Sequence, residues 1–296
     1  MEEKVQCRLA APKDVCKRAN AERFPAGPYR NEFQRDRDRI LYSKEFRRLS
    51  GKTQVFLSTS HDHVRTRLTH TLEVSQISRV TANYLGLNPA LAESIALGHD
   101  VGHTPFGHVG ERTLCHIMCN CDQLAEFQSK MKTDDFGFKH NLQSLRVACD
   151  LEQLYGKLGL NLSNYTLWGI KQHTRDHWGS CSFKNNTKCM LKKDSKSCNA
   201  SNGLNLGFYK KYLSHLKQIE NDIDAWSFEG LVVKQSDEIA QRHHDIEDAL
   251  FVGLITKLEL MDQIESLFYK HFDDEDTTLF LQLRDAVSDS RLFMPL

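Results

Sequence analysis

The chain has 296 residues, 40% hydrophobic and 26% charged, and its 39 basic and 39 acidic side chains cancel. Such values describe an ordinary globular protein, long enough to bury a core without disulfides. Zero net charge excludes bulk attraction to a polyanion, so any phosphate site has to come from local clustering of Arg and Lys. No stretch approaches the roughly 18 apolar residues of a membrane-spanning helix, and no membrane partner is expected. The charged start, Met1 to Val5, is not of signal-peptide type. The nine cysteines are odd in number and irregularly spaced, which reads as reduced thiols in a cytoplasmic protein.

Residues 1–28 are polar, with Pro12, Pro25 and Pro28, and read as a loosely packed leader. From Asn31 to Leu49, Phe33, Ile40, Leu41, Phe46 and Leu49 recur at helical spacing. A second helix is expected over 67–87, with Leu68, Leu72, Ile77, Val80, Tyr84 and Leu85 turned inward. Asn88-Pro89 is a helix start, an N-cap residue followed by proline at the first helical position. That helix carries Leu91, Ile95 and Leu97 and ends near Gly102, where Gly102, Pro105 and Gly107 require a tight loop. Helices follow over about 138–155 and 162–174. Residues 180–203 are rich in Ser, Asn and Lys and read as an exposed insertion. Helices resume over about 205–221, 227–256 and 258–271. Few segments alternate in the manner of strands, so the fold class is all-α.

The informative grouping is His70, then His99-Asp100, then Asp237. Two imidazoles and two carboxylates suit a borderline-hard divalent ion, Mn²⁺ or Mg²⁺, with Fe²⁺, Co²⁺ or Zn²⁺ as alternatives. The absence of a thiolate argues against structural zinc. A bare His-Asp pair is a weak signal and recurs at His61-Asp62 and His244-Asp245. What distinguishes His99-Asp100 is its setting, a glycine-containing loop that also carries His103 and His108. Glu111 follows His108 by one helical turn, so the two can face each other, a means of steering a proton beside a metal. On its helix Arg67 lies one turn before His70, and a guanidinium matches phosphate with a bidentate fork.

In these residues and in the ordered blocks around them, the chain resembles the deoxyguanosine-triphosphate triphosphohydrolase family of the HD superfamily. The matching blocks run in order: Arg35-Asp36-Arg37-Asp38-Arg39-Ile40 through Lys52-Thr53-Gln54-Val55-Phe56; Arg65 to Val74; His99 to Glu111; His140-Asn141 with Gln143-Ser144-Leu145-Arg146; and Asp237-Glu238-Ile239-Ala240 with His244-Asp245-Ile246. The resemblance implies an HD-type helical bundle over 29–256 and a helical C-terminal appendage over 257–296. It implies hydrolysis of deoxynucleoside triphosphates, of dGTP or a broader set, to deoxynucleoside and triphosphate. His70, His99, Asp100 and Asp237 would hold the metal, and His108 and Glu111 would be the catalytic pair. His103, at the catalytic centre, and His140 would line the phosphate pocket, and Arg67 would contact the phosphates. Gln54 and Asp245 would recognise the sugar hydroxyl. A homo-oligomer, hexamer or tetramer, is implied as well.

The chain departs from many members at Gln241, where they carry a Tyr four residues after the last metal Asp; this bears on the sugar contact and base preference. It also ends at Leu296, short of many relatives, so a C-terminal region that closes the pocket or builds the oligomer is expected to be missing or replaced. The Arg-rich block and Gln54 favour a triphosphate over the substrates of other HD enzymes, such as monophosphates, cyclic nucleotides or alarmones. A binding-only regulator is the alternative of a different class, and the full ligand set with the His108–Glu111 pair speaks against it. His173, His177, Cys181, Cys189 and Cys198 are zinc-ligand types, but their spacing fits no standard zinc pattern. Cys115, Cys119 and Cys121 beside His116 read as buried thiols on a helix. Lys184, Lys188, Lys192, Lys193 and Lys196 give the insertion a basic character, suited to a solvated loop or to single-stranded nucleic acid or a nucleotide effector.

Overall fold

The computed structural model describes residues 9–11, 16–24, 27–53, 65–118, 138–155, 159–174 and 225–271. Among these the structure is helical, with only two isolated β-bridges, Arg18–Ser163 and Thr53–Thr66. The fold is all-α. The chain divides into two compact units, Met1–Asp237 and Glu238–Leu296.

In the first unit α1 spans Glu32–Leu41 and α2 Lys44–Arg48. The single helix expected over this stretch is broken at Ser43, for a local reason. The Ser43 hydroxyl donates to the Ile40 carbonyl and accepts from the Phe46 amide, ending one helix and capping the next. Helix α3, Arg67–Tyr84, starts on a capping box between Thr66 and Thr69. Helix α4, Pro89–Gly98, starts where Asn88-Pro89 places it, with the Asn88 side chain accepting from the amides of Ala90 and Leu91. Helix α5 is Gly107–Met118, α6 is His140–Arg146 followed by a short π-helical turn to Leu151, and α7 is Asn164–Gln172. Helix α8, Phe228–Phe251, begins in the first unit and continues into the second, where α9 spans Lys257–His271. The helix expected over 205–221 and the insertion at 180–203 lie outside the described residues.

Helix α4 is the centre of the first unit. Helices α1, α3 and α7 all pack on it, and Leu91, Ile95, Ala92 and Ala96 are fully enclosed. The approach of α7 is close because Gly169 faces Ile95, where an added Cβ would lie 2.4 Å from Ile95 Cδ1. The α3 face turned inward corrects the expectation. Val74, Ser75, Ser78 and Ala82 are buried, whereas Leu72, Val80, Tyr84 and Leu85 are exposed. Small side chains let α3 lie near α4, and close packing outweighs the larger apolar residues on the other side. The main apolar cluster unites Ile40, Phe46 and Leu49 with Leu97, Leu142, Leu145, Trp168 and Ile170.

The Arg-rich block of α1 is structural, not a free phosphate-binding surface. Arg39 makes a two-pronged pair with Glu22 at 2.7 and 2.8 Å and also donates to the Asn161 carbonyl. Arg37 pairs with Asp38 and Glu93. Asp36, fully buried, receives Arg18 at 2.5 Å, the Ser163 amide and hydroxyl, and the Thr166 hydroxyl. The described leader residues are anchored by these groups and by buried Glu229, which accepts from the amides of both Ala11 and Asn88. Removing one partner of a buried pair strands the other charge, so Asp36→Ala is expected to cost about 3–5 kcal/mol. Urea unfolding of the two proteins checks this; a loss under about 1 kcal/mol would mean that Glu32 alone suffices for Arg18.

Candidate metal and proton-transfer centre

The centre forms where the ends of several helices of the first unit converge. His70 lies in the first turn of α3, and His99 is the C-cap of α4 with Asp100 next to it. Asp237 comes from α8. His70 Nε2 lies 3.0 Å from Asp237 Oδ1, and His99 Nε2 lies 3.7 Å from the same oxygen. His99 Nε2 is also 3.6 Å from Asp100 Oδ2. His70, His99 and Asp237 therefore present ligand atoms that all lie within 4.8 Å of one another.

The test of whether these residues fit a cation is the state of His99. Its Nδ1 is 2.6 Å from the Ala96 carbonyl. A carbonyl only accepts, so Nδ1 carries the proton and, in the neutral ring, Nε2 holds a lone pair. That buried Nε2 has no hydrogen-bond partner, yet it faces two carboxylate oxygens. Lone pair against carboxylate is repulsive unless positive charge stands between them. Fixing the outward nitrogen of a ligand histidine through a backbone carbonyl is a recurring feature of metal centres. The donor set fits a divalent ion.

Asp100 is buried, and burial alone would raise its carboxyl; His99 and Arg67 outweigh this, with His103 and His140, and hold it well below the usual range. The Arg67 guanidinium is ion-paired with Asp100 Oδ2 through one of its nitrogens, while its buried Nε has no hydrogen-bond partner. Asp237 behaves alike: against the effect of burial, the His70 hydrogen bond and the neighbouring His99 bring it to about 2.

The second part of the centre is a chain of histidines beside these residues. The loop after Asp100 turns back through Phe106 and Gly107, both at positive φ, to start α5. At the start of α5, His108 Nδ1 lies 3.1 Å from Glu111 Oε2, one turn further on. Glu111 is wholly enclosed, whereas the His108 side chain is 51% exposed. The other Glu111 oxygen accepts from the His140 amide and from His140 Nδ1, both at 2.9 Å, and Lys139 Nζ is 3.5 Å away. Burial would raise the Glu111 carboxyl, but its bonds to His108 and His140 hold it well below its ordinary value. His103 stacks on His140 with ring centroids 4.4 Å apart. The ligand atoms of His103, His108, Glu111 and His140 also lie close together. Both Glu111 oxygens are already occupied by hydrogen-bond donors, which suits a proton-holding assembly better than a cation site.

The remaining residues singled out in the sequence fall differently. Gln54 lies outside the described residues. Gln241 and Asp245 are exposed, on the part of α8 that belongs to the second unit. Sequence reasoning missed Lys52, whose amine lies 3.5 Å from the Val101 carbonyl and whose pKa is lowered by burial; its only signal was its place beside Gln54. It gave His173 no place in the centre. His173 caps α7 and turns into the histidine chain, with Nδ1 on the Ile170 carbonyl at 2.6 Å and Nε2 3.0 Å from His140 Nε2. His177, Cys181, Cys189 and Cys198 lie outside the described residues, as do Cys119 and Cys121; Cys115 is buried on α5. Among the described residues Cys16, Cys115 and Cys149 form no disulfide, and no helix is long and apolar enough to cross a membrane.

Burial brings His173 from 6.5 down to about 3, helped by the neighbouring His99 and His140. An unfolded histidine protonates near 6.5, so between these limits the unfolded chain binds the extra proton and stability falls as pH is lowered. His173's contribution is complete above pH 6.5 and is lost toward pH 3. Asp237 adds a further loss from about pH 4 down toward its own value of about 2. In chelator-treated protein the expected slope is about 1.4 kcal/mol per pH unit for each such group. Urea melts at pH 7, 6 and 5 measure it; a stability unchanged over that range would show that His173 is not held neutral.

The fold and centre together define an all-α protein with a His/Asp cluster of divalent-ion type next to a buried-carboxylate histidine pair. The HD domain family matches residues 67–229. Over 273 residues the chain is 38% identical to a deoxyguanosinetriphosphate triphosphohydrolase-like protein of Pelagibacter ubique, covering 88% of this chain and 62% of that one. Proteins of the same name from Wolinella succinogenes and Leptospira interrogans are 41% and 39% identical, covering 80% and 83% of this chain and 54% and 51% of theirs. This chain belongs to the HD-domain family, within its deoxyguanosinetriphosphate triphosphohydrolase-like group. It spans between about half and three fifths of the length of these relatives.

Proposed function

We propose that this chain is a metal-dependent phosphohydrolase that cuts deoxynucleoside triphosphates, dGTP or a broader set, into deoxynucleoside and inorganic triphosphate. The observation that carries the reading is the placing of a divalent-ion cluster beside His108, an accessible imidazole held by a buried carboxylate. The substrate class follows the relatives, which are named for dGTP triphosphohydrolase likeness. His70, His99, Asp100 and Asp237 would hold the ion, Mn²⁺ or Mg²⁺ in the first instance. When bound, such an ion draws charge from a phosphoryl oxygen and acidifies water.

The protein's own groups do the rest. His108 donates Nδ1–H to Glu111, which leaves Nε2 to take up a proton from the attacking water. The water oxygen bonds to the α-phosphorus, the bond from that phosphorus to the sugar 5′ oxygen breaks, and a proton from His108 goes to that leaving oxygen. Glu111 acts through His108, steadying the imidazolium that forms between these steps. Arg67, Lys52 and His103 are assigned to the phosphates. His140 has both ring nitrogens engaged, by Glu111 and His173, and acts through them rather than on phosphate. Gln54, Gln241 and Asp245 are assigned to the sugar side, on the resemblance. A catalytic region over 29–256, assembly as a hexamer or tetramer, a cytoplasmic location, and a nucleotide effector or single-stranded nucleic acid at the Lys-rich insertion complete the proposal.

The test is to incubate the protein with each deoxynucleoside triphosphate, alone and in mixtures, with Mn²⁺ or Mg²⁺, and to separate the products by anion exchange. Deoxynucleoside with intact triphosphate is the expected result. Monophosphate with pyrophosphate, or stepwise release of phosphate, would discard the triphosphohydrolase reading while keeping a hydrolytic metal centre. Tight nucleotide binding with no product under either metal would replace the enzyme by a binding protein.

A further inference from the structure

Glu111 is a carboxylate wholly enclosed by protein, and an enclosed charge is costly without an opposite one close by. The hydrogen bonds it accepts do not require that charge. His108 Nδ1 on one oxygen, and the His140 amide and Nδ1 on the other, are donors that neutral imidazoles and a peptide already supply. A lysine supplies it. Lys139 is the N-cap residue of α6, its side chain is only 5% exposed, and its Nζ lies 3.5 Å from Glu111 Oε1. Against the effect of burial, the His108 and His140 bonds, and behind them the charge of Lys139, keep the Glu111 carboxyl well below its ordinary value.

The consequence falls on His108. To accept a proton at Nε2 its ring has to be neutral at rest. An uncompensated buried carboxylate 3.1 Å away would draw a proton onto that ring and hold it there. A cation on the opposite oxygen of the same carboxylate weakens this pull and repels the proton as well. The other titratable groups facing His108 are His103 of the preceding loop and His140 of α6, with ring centroids 5.2 and 5.8 Å from its own. Neither can carry negative charge, and among the described residues Glu111 is the only carboxylate paired with His108. We propose that Lys139 is a positioning residue for the reaction: it balances the charge of Glu111, so that His108 rests as a neutral base and not as an imidazolium. The inference rests on the reading of His108 as the proton-transfer group and names what keeps that group ready. Arg67 and Lys52 are assigned to phosphate, whereas Lys139 acts through Glu111.

The experiment has two readouts on the full chain. The first is the pH profile of kcat/KM for deoxynucleoside triphosphate hydrolysis with Mg²⁺, whose acid limb reports the base of the free protein. Lys139→Met keeps an unbranched stem and loses the charge. Its acid limb is expected to move up by about one pH unit, a loss of about tenfold below the limb that closes at high pH; water around the half-exposed ring keeps the shift from being larger. Lys139→Arg keeps the charge and is expected to keep the position of the limb; Lys139→Gln replaces the Met form if that does not fold. An equal loss at every pH with the limb unmoved would make Lys139 a packing residue and overturn the proposal. The second readout needs no turnover. Nitrogen resonances of ¹⁵N-histidine-labelled protein are followed against pH without nucleotide, and those of His108 are identified by their absence from His108→Ala. A neutral ring with its hydrogen on Nδ1 is expected at pH 7 in the unaltered protein, taking up its second proton about one pH unit higher in Lys139→Met. An imidazolium at pH 7 in the unaltered protein would overturn the proposal whether or not any variant folds. Absence of hydrolysis in every form would instead overturn the proposed function, and the resonances alone would then decide whether Lys139 governs the charge of His108.

Discussion

His108→Ala is expected to lower turnover about 10²–10⁴-fold, the usual worth of a positioned proton-transfer group, while leaving the content of bound divalent ion unchanged. The two halves of this expectation have separate origins. His108 is half-exposed and joined to the rest of the centre through one hydrogen bond, to Glu111. Truncating it opens no core and removes none of His70, His99, Asp100 or Asp237. The Glu111 oxygen left behind loses one donor, but the other keeps His140 and Lys139. The measurement is single-turnover hydrolysis alongside elemental analysis of the same preparation. Full activity would remove His108 from the reaction. Loss of metal together with activity would show that it supports the ion site instead.

Gly102→Ala is expected to cost about 3 kcal/mol or more in stability and to disturb the centre as well. A Cβ at this position would lie 2.2 Å from the Ser144 amide nitrogen, 2.5 Å from the Gln143 carbonyl carbon and 2.8 Å from the His140 carbonyl oxygen. All three are backbone atoms of α6, so no side-chain rotation relieves the clash and the helix itself has to shift. The Gly102 amide now donates to the Ser144 hydroxyl at 2.9 Å, and that hydroxyl lies within bonding distance of the carbonyls of His99 and His140. The contact therefore ties the loop carrying His99 and Asp100 to the helix carrying His140. Denaturant unfolding gives the stability and metal binding reports the centre. A variant of unchanged stability would show that α6 can move away at little cost, contrary to the packing described.

Much of the site was legible because the relevant signals are local. The His99-Asp100 pair, the glycines that follow it and the one-turn spacing of His108 and Glu111 lie in one short stretch. The Asn88-Pro89 start of α4, which places His99 at the helix end, is also a local cap. By contrast, the inward face of α3 was not legible from hydrophobicity. Ser75, Ser78 and Ala82 are buried since α4 approaches closely there, whereas Leu72, Val80 and Tyr84 face solvent. The structural part of the Arg35–Arg39 block was not legible because its counter-charges are remote. Glu22, Asn161 and Ser163 reach it only in the folded chain. His173 was grouped with cysteines by proximity in sequence, while the fold turns it toward His140.

The sequence by itself determined the ligand types, their order and the helices that carry them, because capping, helical periodicity and adjacency act over a few residues. Two histidines of the centre show in the structure how such local geometry acts. His99 and His173 each end a helix and place Nδ1 on a carbonyl three residues back, Ala96 and Ile170. Only the tertiary structure decided what the opposite nitrogens face. Asp237 meets His99 from α8, and His140 meets His173 from α6, through space between elements far apart in the chain. Whether a lone pair meets a proton, a carboxylate or another lone pair depends on those packed distances, which adjacency in the chain does not set.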